Sequence, residues 1–538
     1  MLGLWETKVN VKAEEGAFLN LESILRRINT NKNDFVLNDG FKTIRYISKS
    51  EYDESVYMYV EPNFYEADGR GDSSFARFII FSAPGATGKS ALAKHICYKK
   101  NGIYWDLPDN KVAEFSLQGA IMEAVGAENV SAFLKSIEIG ENFLVIDAFD
   151  EAEAGSGRTG IEAFLKDLNN ITKNSEHICA ILMARTESAL FIKDYLIKNG
   201  IGFKHYEVGL FAEYNAKSYI KNKLRRLKVG TTDIVAECIE QQFAEIKRIF
   251  SDEDAKAFIG YAPVLDALAT SYDDEKNTLN LLKRTQKGEN NCDLMDKILQ
   301  KLLTREQEKF LKALNVKVDC VRDNDVLDAL YTVHEQICRM LGMILIGDST
   351  TFIDVSSKFP VEYKEEYLDV VNTQLPQHPF VKAKERSSIV SYDFTGAAFR
   401  DFVLAYVLAD KSLADFVDDY LGMHTKYCPS QMLIEFYSLF AKNKIRGKHV
   451  PLMYNSFKSF AQLGDKIFVN INGDATDCSA EFNLMRNGKT AHTFEFKLIN
   501  LEEGIYLNQL SNCYIDVGGD VFIGSSNGEA RISNSVIN

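Results

Sequence analysis

The sequence predicts a multidomain chain: an α/β core with a parallel sheet, then helical segments, then a β-rich end. Three observations predict this. Apolar, strand-like runs alternate with helical stretches between residues 77 and 210, the pattern of a parallel sheet with crossover helices. A glycine-rich loop lies between the first of these runs and a helix. Beyond residue 465 the pattern shifts to short β runs separated by Asn, Gly and Ser. A chain of 538 residues exceeds one ordinary domain, and 46% hydrophobic residues can fill several cores.

Composition narrows the function classes. The formal net charge is −14 and the pI about 5.3. That argues against a constitutive nucleic-acid coat or an anionic-membrane binder, although a local basic patch is compatible with it. Nine cysteines are scattered with no C-x-x-C pair, which fits reduced cytosolic thiols and suggests no zinc site. The start, "MLGLWETKVNVKAEEGAF", has no basic region followed by an apolar stretch, so no secretion signal is expected. No apolar run reaches the ~20 residues that span a bilayer. A cytoplasmic location without membrane contact is the expectation.

The loop occurs in "FARFIIFSAPGATGKSALAKHICYKK", residues 75–100. Residues 77–82 read as a strand and "ALAKHI" as a helix, the context a phosphate-binding loop needs. The loop residues Ala83, Pro84, Gly85, Ala86, Thr87, Gly88, Lys89, Ser90 and Ala91 would surround phosphate oxygens, with backbone N–H groups from all but Pro84, at the positive end of the helix. Lys89 would reach the β- and γ-phosphates, and Ser90 would hold Mg²⁺. Ala83 stands where this motif usually has its first glycine, while Gly85 and Gly88 supply freedom inside the loop.

Such a loop requires a second strand ending in a carboxylate. "FLVIDAFDEAE", residues 143–153, provides one: Asp147 ends an apolar run and suits the Mg²⁺. A further carboxylate must orient the attacking water, and Asp150 and Glu151 are both candidates. "HICAILMARTES", residues 177–188, reads as another buried strand, 178–184, ending at Arg185. If it inserts between the loop strand and the acidic strand, Arg185 would sense the γ-phosphate. Residues 102–107 and 205–210 complete a five-stranded parallel sheet.

At this point the chain resembles the NACHT branch of the STAND NTPases. "FLVIDAFDEAE" resembles their acidic motif and "LMARTES" their sensor stretch. "GLFAEYNAKSYIKNKL" (209–224) and "GYAPVLDALA" (260–269) resemble the entry to their helical domain and its proline motif, which implies that Pro263 packs at the nucleotide. "ILQKLLTREQEKF" (298–310) and "YDFTGAAFRDFVLAYVLA" (392–409) resemble the start and last helix of a winged-helix domain. Many such proteins place an ADP-contacting histidine in that last stretch. Here it reads Phe394, Thr395, Gly396, Ala397, Ala398, Phe399, Arg400, Asp401, Phe402, with Gly396 at that place. His334, His378 and His424 are the nearest histidines and read as surface or packed residues.

The expected organisation is an N-terminal arm (1–55), an NTPase core (56–210), a small helical domain (211–297), a winged-helix domain (298–410), a helical linker (411–465) and a β-rich segment (466–538). Within the core, "YMYVEPNFYE", residues 57–66, is expected beside the base. "LSNCYID" (510–516) and "ISNSVIN" (532–538) match at an offset of 22 residues from Leu510 to Ile532, suggesting the start of a parallel β-solenoid sensor that continues beyond residue 538. The arm shows no metal-ligand cluster or nucleophile constellation, so an effector is expected on another polypeptide or beyond residue 538.

The resemblance implies an ADP-bound resting switch, with ATP and Mg²⁺ driving self-oligomerisation on a protein trigger. Bacterial members commonly act in antiviral defence. A continuously cycling AAA+-like ATPase and a non-hydrolysing nucleotide-binding scaffold remain as alternatives. ATP rather than GTP follows from the family alone.

Overall fold

The computed structural model describes residues 19–31, 35–38, 40, 43–56, 58–70, 76–85, 87–107, 112–227, 233–249, 252–270, 292–318, 329–347, 363–386, 389–410, 413, 429–473, 477–499, 513–518 and 536–537. The chain divides into two compact units. The first holds residues 1–228 and 260–266, the second residues 229–259 and 267–538.

In chain order the first unit begins with a short helix α1 (Leu21–Ile24), strand β1 (Ile44–Tyr46), helix α2 (Lys49–Ser55) and strand β2 (Phe64–Arg70). Then come β3 (Phe78–Ala83), α3 (Lys89–Lys100), β4 (Ile103–Asp106), α4 (Ser116–Val125) and α5 (Val130–Glu138). β5 (Leu144–Asp147), α6 (Phe149–Thr172), β6 (Ala180–Arg185), α7 (Thr186–Lys198), β7 (Phe203–Val208) and α8 (Glu213–Arg226) follow. The seven strands form one sheet in the order β1-β4-β5-β6-β3-β7-β2. Its five inner strands are parallel. β6 lies between the loop strand β3 and the acidic strand β5, as the sensor reading required.

The expectation of a five-stranded parallel sheet is corrected at both edges. β1 pairs antiparallel with β4, and β2 antiparallel with β7. Both come from the segment ahead of the loop. Their "IRY" and "FYEADGR" carry polar residues that an edge strand can present to water, so they lack the apolar signature of inner strands.

Every residue of β3 and β5 is buried, because helices cover both faces. Phe78 and Ile80 face one core, with Phe149, Phe164 and Leu196 of the helices on that side. Ile79 and Phe81 face the other, with Leu92 and Ile96 of α3 and Leu21 and Ile24 of the arm. The strict alternation follows from the two-residue strand period.

The second unit contains α9 (Asp233–Ile249) and α10 (Asp252–Ile259). It also takes the end of α11 (Ala262–Ala269), whose first residues belong with the first unit. Helices α12 (Cys292–Lys317), α13 (Val333–Leu345) and α14 (Lys364–Gln374) precede an antiparallel pair, β8 (Val381–Arg386) and β9 (Ile389–Phe394). α15 (Ala397–Ala409) follows the pair, so among the described residues the order is three helices, a hairpin and a helix. α16 (Gln431–Phe440), β10 (Lys444–Arg446) and α17 (Val450–Lys458) lead to β11 (Lys466–Gly473), β12 (Cys478–Arg486), β13 (Lys489–Ile499), β14 (Cys513–Gly518) and β15 (Val536–Ile537).

This last sheet corrects the solenoid expectation in part. It is mixed, ordered β10-β13-β12-β11-β14-β15. β11, β12 and β13 form an antiparallel meander. β14 adds in parallel to β11, and β15 in parallel to β14. Tyr514 pairs with Val536 and Ile515 with Ile537, so the offset of 22 residues seen in the sequence is the pairing register of this edge.

Candidate phosphate-loop site

The loop leaves β3 at Ala83 and enters α3 at Lys89. Gly88 caps the helix with φ +90°, a left-handed value that only glycine adopts cheaply. A Cβ there would meet nothing within 4 Å, so the backbone, not crowding, requires glycine. Thr87 is buried and its hydroxyl donates to the Pro84 carbonyl at 2.9 Å. Lys89 Nζ donates to the carbonyls of Ala83 and Pro84, each at 3.1 Å, so the ammonium lies across the loop. Ser90, the second helical residue, is exposed. Ala86 lies outside the described residues.

Asp147 ends β5 and is 2% exposed. Tyr104 donates its hydroxyl to Oδ2 at 2.9 Å, and the amide of Ala148 donates to Oδ1 at 2.9 Å. Among the described residues no cationic side chain pairs with this carboxylate. A buried carboxylate held by two neutral donors is a costly arrangement, since charge in a low-dielectric site calls for a counter-charge. Oxygen donors at Asp147 and Ser90 suit a hard cation such as Mg²⁺, whose remaining positions nucleotide phosphates and water would fill. Ala148 turns the chain with φ 63°, and α6 starts directly after it.

Asp150 and Arg185 were expected in separate roles, and the structure joins them. Arg185 Nε lies 2.5 Å from Asp150 Oδ2, with the side chains 21% and 8% exposed. The two residues expected as γ-phosphate sensor and as base thus neutralise each other. Glu153 accepts from Ser188 at 2.6 Å and pairs with Arg158 at 3.3 Å. The side chain of Glu151 lies outside the described residues.

A cavity of about 280 Å³ opens beside the loop. Thr87, Gly88 and Ala91 line one side, and Met58, Tyr59, Val60 and Pro62 form an apolar wall from the segment expected beside the base. α8 contributes Tyr219, Asn222, Lys223 and Arg226, and α11 contributes Ala262 and Asp266. Pro263 is buried between those last two. Asp266 is tied to Lys223 at 2.9 Å and to the Tyr219 hydroxyl at 3.0 Å. Tyr261 donates to the Gly85 carbonyl at 3.2 Å, joining the proline segment to the loop itself.

The apolar wall is anchored on α3. Tyr59 stacks on His95 with centroids 4.0 Å apart, and Tyr52 Oη lies 2.6 Å from His95 Nδ1. Burial, and then Lys99, push the His95 pKa down to about 4, so the ring is neutral where it shares this hydrogen bond with the tyrosine. Tyr104, Tyr261, Asp266 and Lys223 were missed in the sequence. The aromatic run "YMYVEP" was the one signal available for the cavity wall.

In the second unit Gly396 caps α15 with an extended backbone, and a Cβ there would meet Phe399 at an ordinary 3.8 Å. His378 is buried, with Nδ1 accepting from the Phe380 amide at 3.1 Å and Nε2 3.2 Å from Gln336 Oε1. Both ring nitrogens are therefore engaged inside the unit, as a packed histidine requires. His334 contacts Cys338 and the Tyr406 ring. His424 lies outside the described residues. Among the described residues no helix is long and apolar enough to cross a membrane.

No protein-family model and no curated protein matches this sequence. Solved structures do match. The RuvB Holliday junction branch migration motor of Thermotoga maritima is 15% identical, over 61% of this chain and 87% of that one, with a TM-score of 0.28. The FIGL-1 AAA domain in complex with ADP is 13% identical, over 48% and 76%, with a TM-score of 0.26. The replication initiator DnaA bound to AMPPCP and single-stranded DNA is 16% identical, over 57% and 88%, with a TM-score of 0.23. Superpositions this loose carry no weight for function; the strand order and the loop's own residues do.

Proposed function

We propose that this chain is a P-loop NTPase that binds ATP and ADP at residues 83–91 and hydrolyses ATP slowly. The observation that carries the reading is Asp147: a buried carboxylate that no cationic side chain among the described residues pairs with, two strands from the loop on the same C-terminal edge of the sheet. Lys89 would exchange its two loop carbonyls for phosphate oxygens. Ser90 and Asp147 would hold Mg²⁺, which neutralises charge on the phosphates when bound. Asp150 would accept a proton from the attacking water, and Arg185 would turn to the γ-phosphate. The cavity lined by Tyr59, Val60 and Ala262 would take the base, with Pro263 packed behind it.

The finer reading is a STAND-type switch. The motif order in the sequence supports it, and so does the Asp150–Arg185 pair, which holds base and sensor together until a γ-phosphate competes. In this reading ADP occupies the resting state, the β-rich end meets a protein trigger, and the ATP form self-oligomerises to engage a separate effector, in bacterial antiviral defence.

The test is the nucleotide retained by purified protein, released by denaturation and identified by chromatography. About one ADP per chain, lost in Lys89→Ala, is expected. Wild-type protein that neither retains nucleotide nor binds ATP would remove the reading. Rapid turnover without a trigger would replace the switch with a cycling ATPase.

A further inference from the structure

The segment ahead of the phosphate loop reaches Asp147 through one tyrosine. Tyr104 on β4 is 1% exposed, and its hydroxyl is the sole side-chain donor to Asp147 among the described residues. Tyr104 pairs in register with Val145, and both belong to the core on the α3 side of the sheet. Asp147, two residues after Val145, projects to that same face. The hydroxyl therefore fixes Oδ2 while the Ala148 amide fixes Oδ1, leaving the carboxylate one orientation.

The ring of Tyr104 is itself held by charge. β1 sets Arg45 opposite Tyr104, and the guanidinium carbon lies 4.9 Å from the ring centroid. Glu51 on α2 grips Arg45 by two bonds, at 3.1 and 2.8 Å. Lys94 on α3 lies 3.4 Å from Glu51 and 5.7 Å from the same ring. Two cations from different elements thus lie over one aromatic ring, and a cation over a ring draws density from it and strengthens its hydroxyl as a donor.

We propose that Tyr104 is the positioning residue for the metal-holding carboxylate of Asp147, and that Arg45 and Glu51 of the N-terminal arm set its ring. This rests on the reading of Asp147 as the Mg²⁺ carboxylate. Outer partners that orient a ligand typically change metal affinity by ~10–100-fold when removed. The arm is then part of the nucleotide site, since a shift of β1 or α2 reaches the metal through this tyrosine.

The experiment titrates Mg²⁺ into the full chain with the fluorescent analogue of β,γ-imido-ATP, and measures ADP affinity separately in EDTA. Tyr104→Phe should raise the Mg²⁺ needed for half-maximal response by ~10-fold. Arg45→Met should shift it several-fold in the same direction, and Asp147→Asn should abolish the response. ADP affinity in EDTA should be unchanged in Tyr104→Phe and Arg45→Met, a split that general loosening of the fold would not produce. Wild-type Mg²⁺ dependence in folded Tyr104→Phe overturns the proposal. If that variant does not fold, an unshifted Arg45→Met overturns it instead. Wild-type protein with no Mg²⁺ response would defeat the NTPase reading, and the inference with it.

Discussion

The Asp150–Arg185 pair yields the prediction most open to measurement. An exposed ion pair is worth ~0–1 kcal/mol. This one is 8% and 21% exposed at 2.5 Å, so it is a shielded, charge-assisted bond. Bonds to charged groups contribute ~1.5–3 kcal/mol, and about 2 is expected here. Asp150→Asn, Arg185→Met and the double variant form a cycle. In a unit of this size each kcal/mol moves Tm by ~2–4 °C, so each single variant should lose ~4–8 °C and the double variant little more. The cycle is then repeated with Mg²⁺ and either ADP or β,γ-imido-ATP. If Arg185 turns to the γ-phosphate, the coupling persists with ADP and falls below ~0.5 kcal/mol with the triphosphate analogue. Additive losses in the nucleotide-free protein would refute the pair. Equal coupling with both nucleotides would refute its role as a γ-phosphate switch.

Two further predictions concern single residues. Gly88→Ala has space for its methyl group but must hold φ near +90°, so it should cost ~1–2 kcal/mol in a denaturant titration and weaken nucleotide binding; wild-type stability would show that the loop does not need that conformation. His378 bears on acid stability. Burial above all pushes its pKa down to about 4. An unfolded histidine takes its proton near 6.5, so the unfolded state binds more protons between pH 6.5 and 4 and stability falls as pH drops through that window, by ~3 kcal/mol at most. His378→Gln should flatten that part of the profile, and an unchanged slope would place the acid sensitivity elsewhere.

The inner strands were legible because burial on both faces demands continuous apolar runs, and β3, β5 and β6 have them. The turn at Gly88 into the helix at Lys89 was legible because strand, glycine-rich loop and helix are adjacent in sequence, and the place of Asp147 because it ends an apolar run. The offset of 22 residues was legible as local repetition, and it survives as the β14–β15 register. β1 and β2 were not, because an edge strand can carry polar residues and leaves no periodic mark. Nor was the antiparallel meander of β11–β13, whose pairings obey no repeat. Above all, no local pattern says which charge meets which. Arg185 finds Asp150 across β5 and β6, and Tyr104 finds Asp147 from the next strand. The cavity wall gathers four stretches of chain. Periodicity records how deeply a residue is buried, and a sequence carries that by itself. The partner of a buried polar group depends on where distant segments come to rest, and only the tertiary structure decides it.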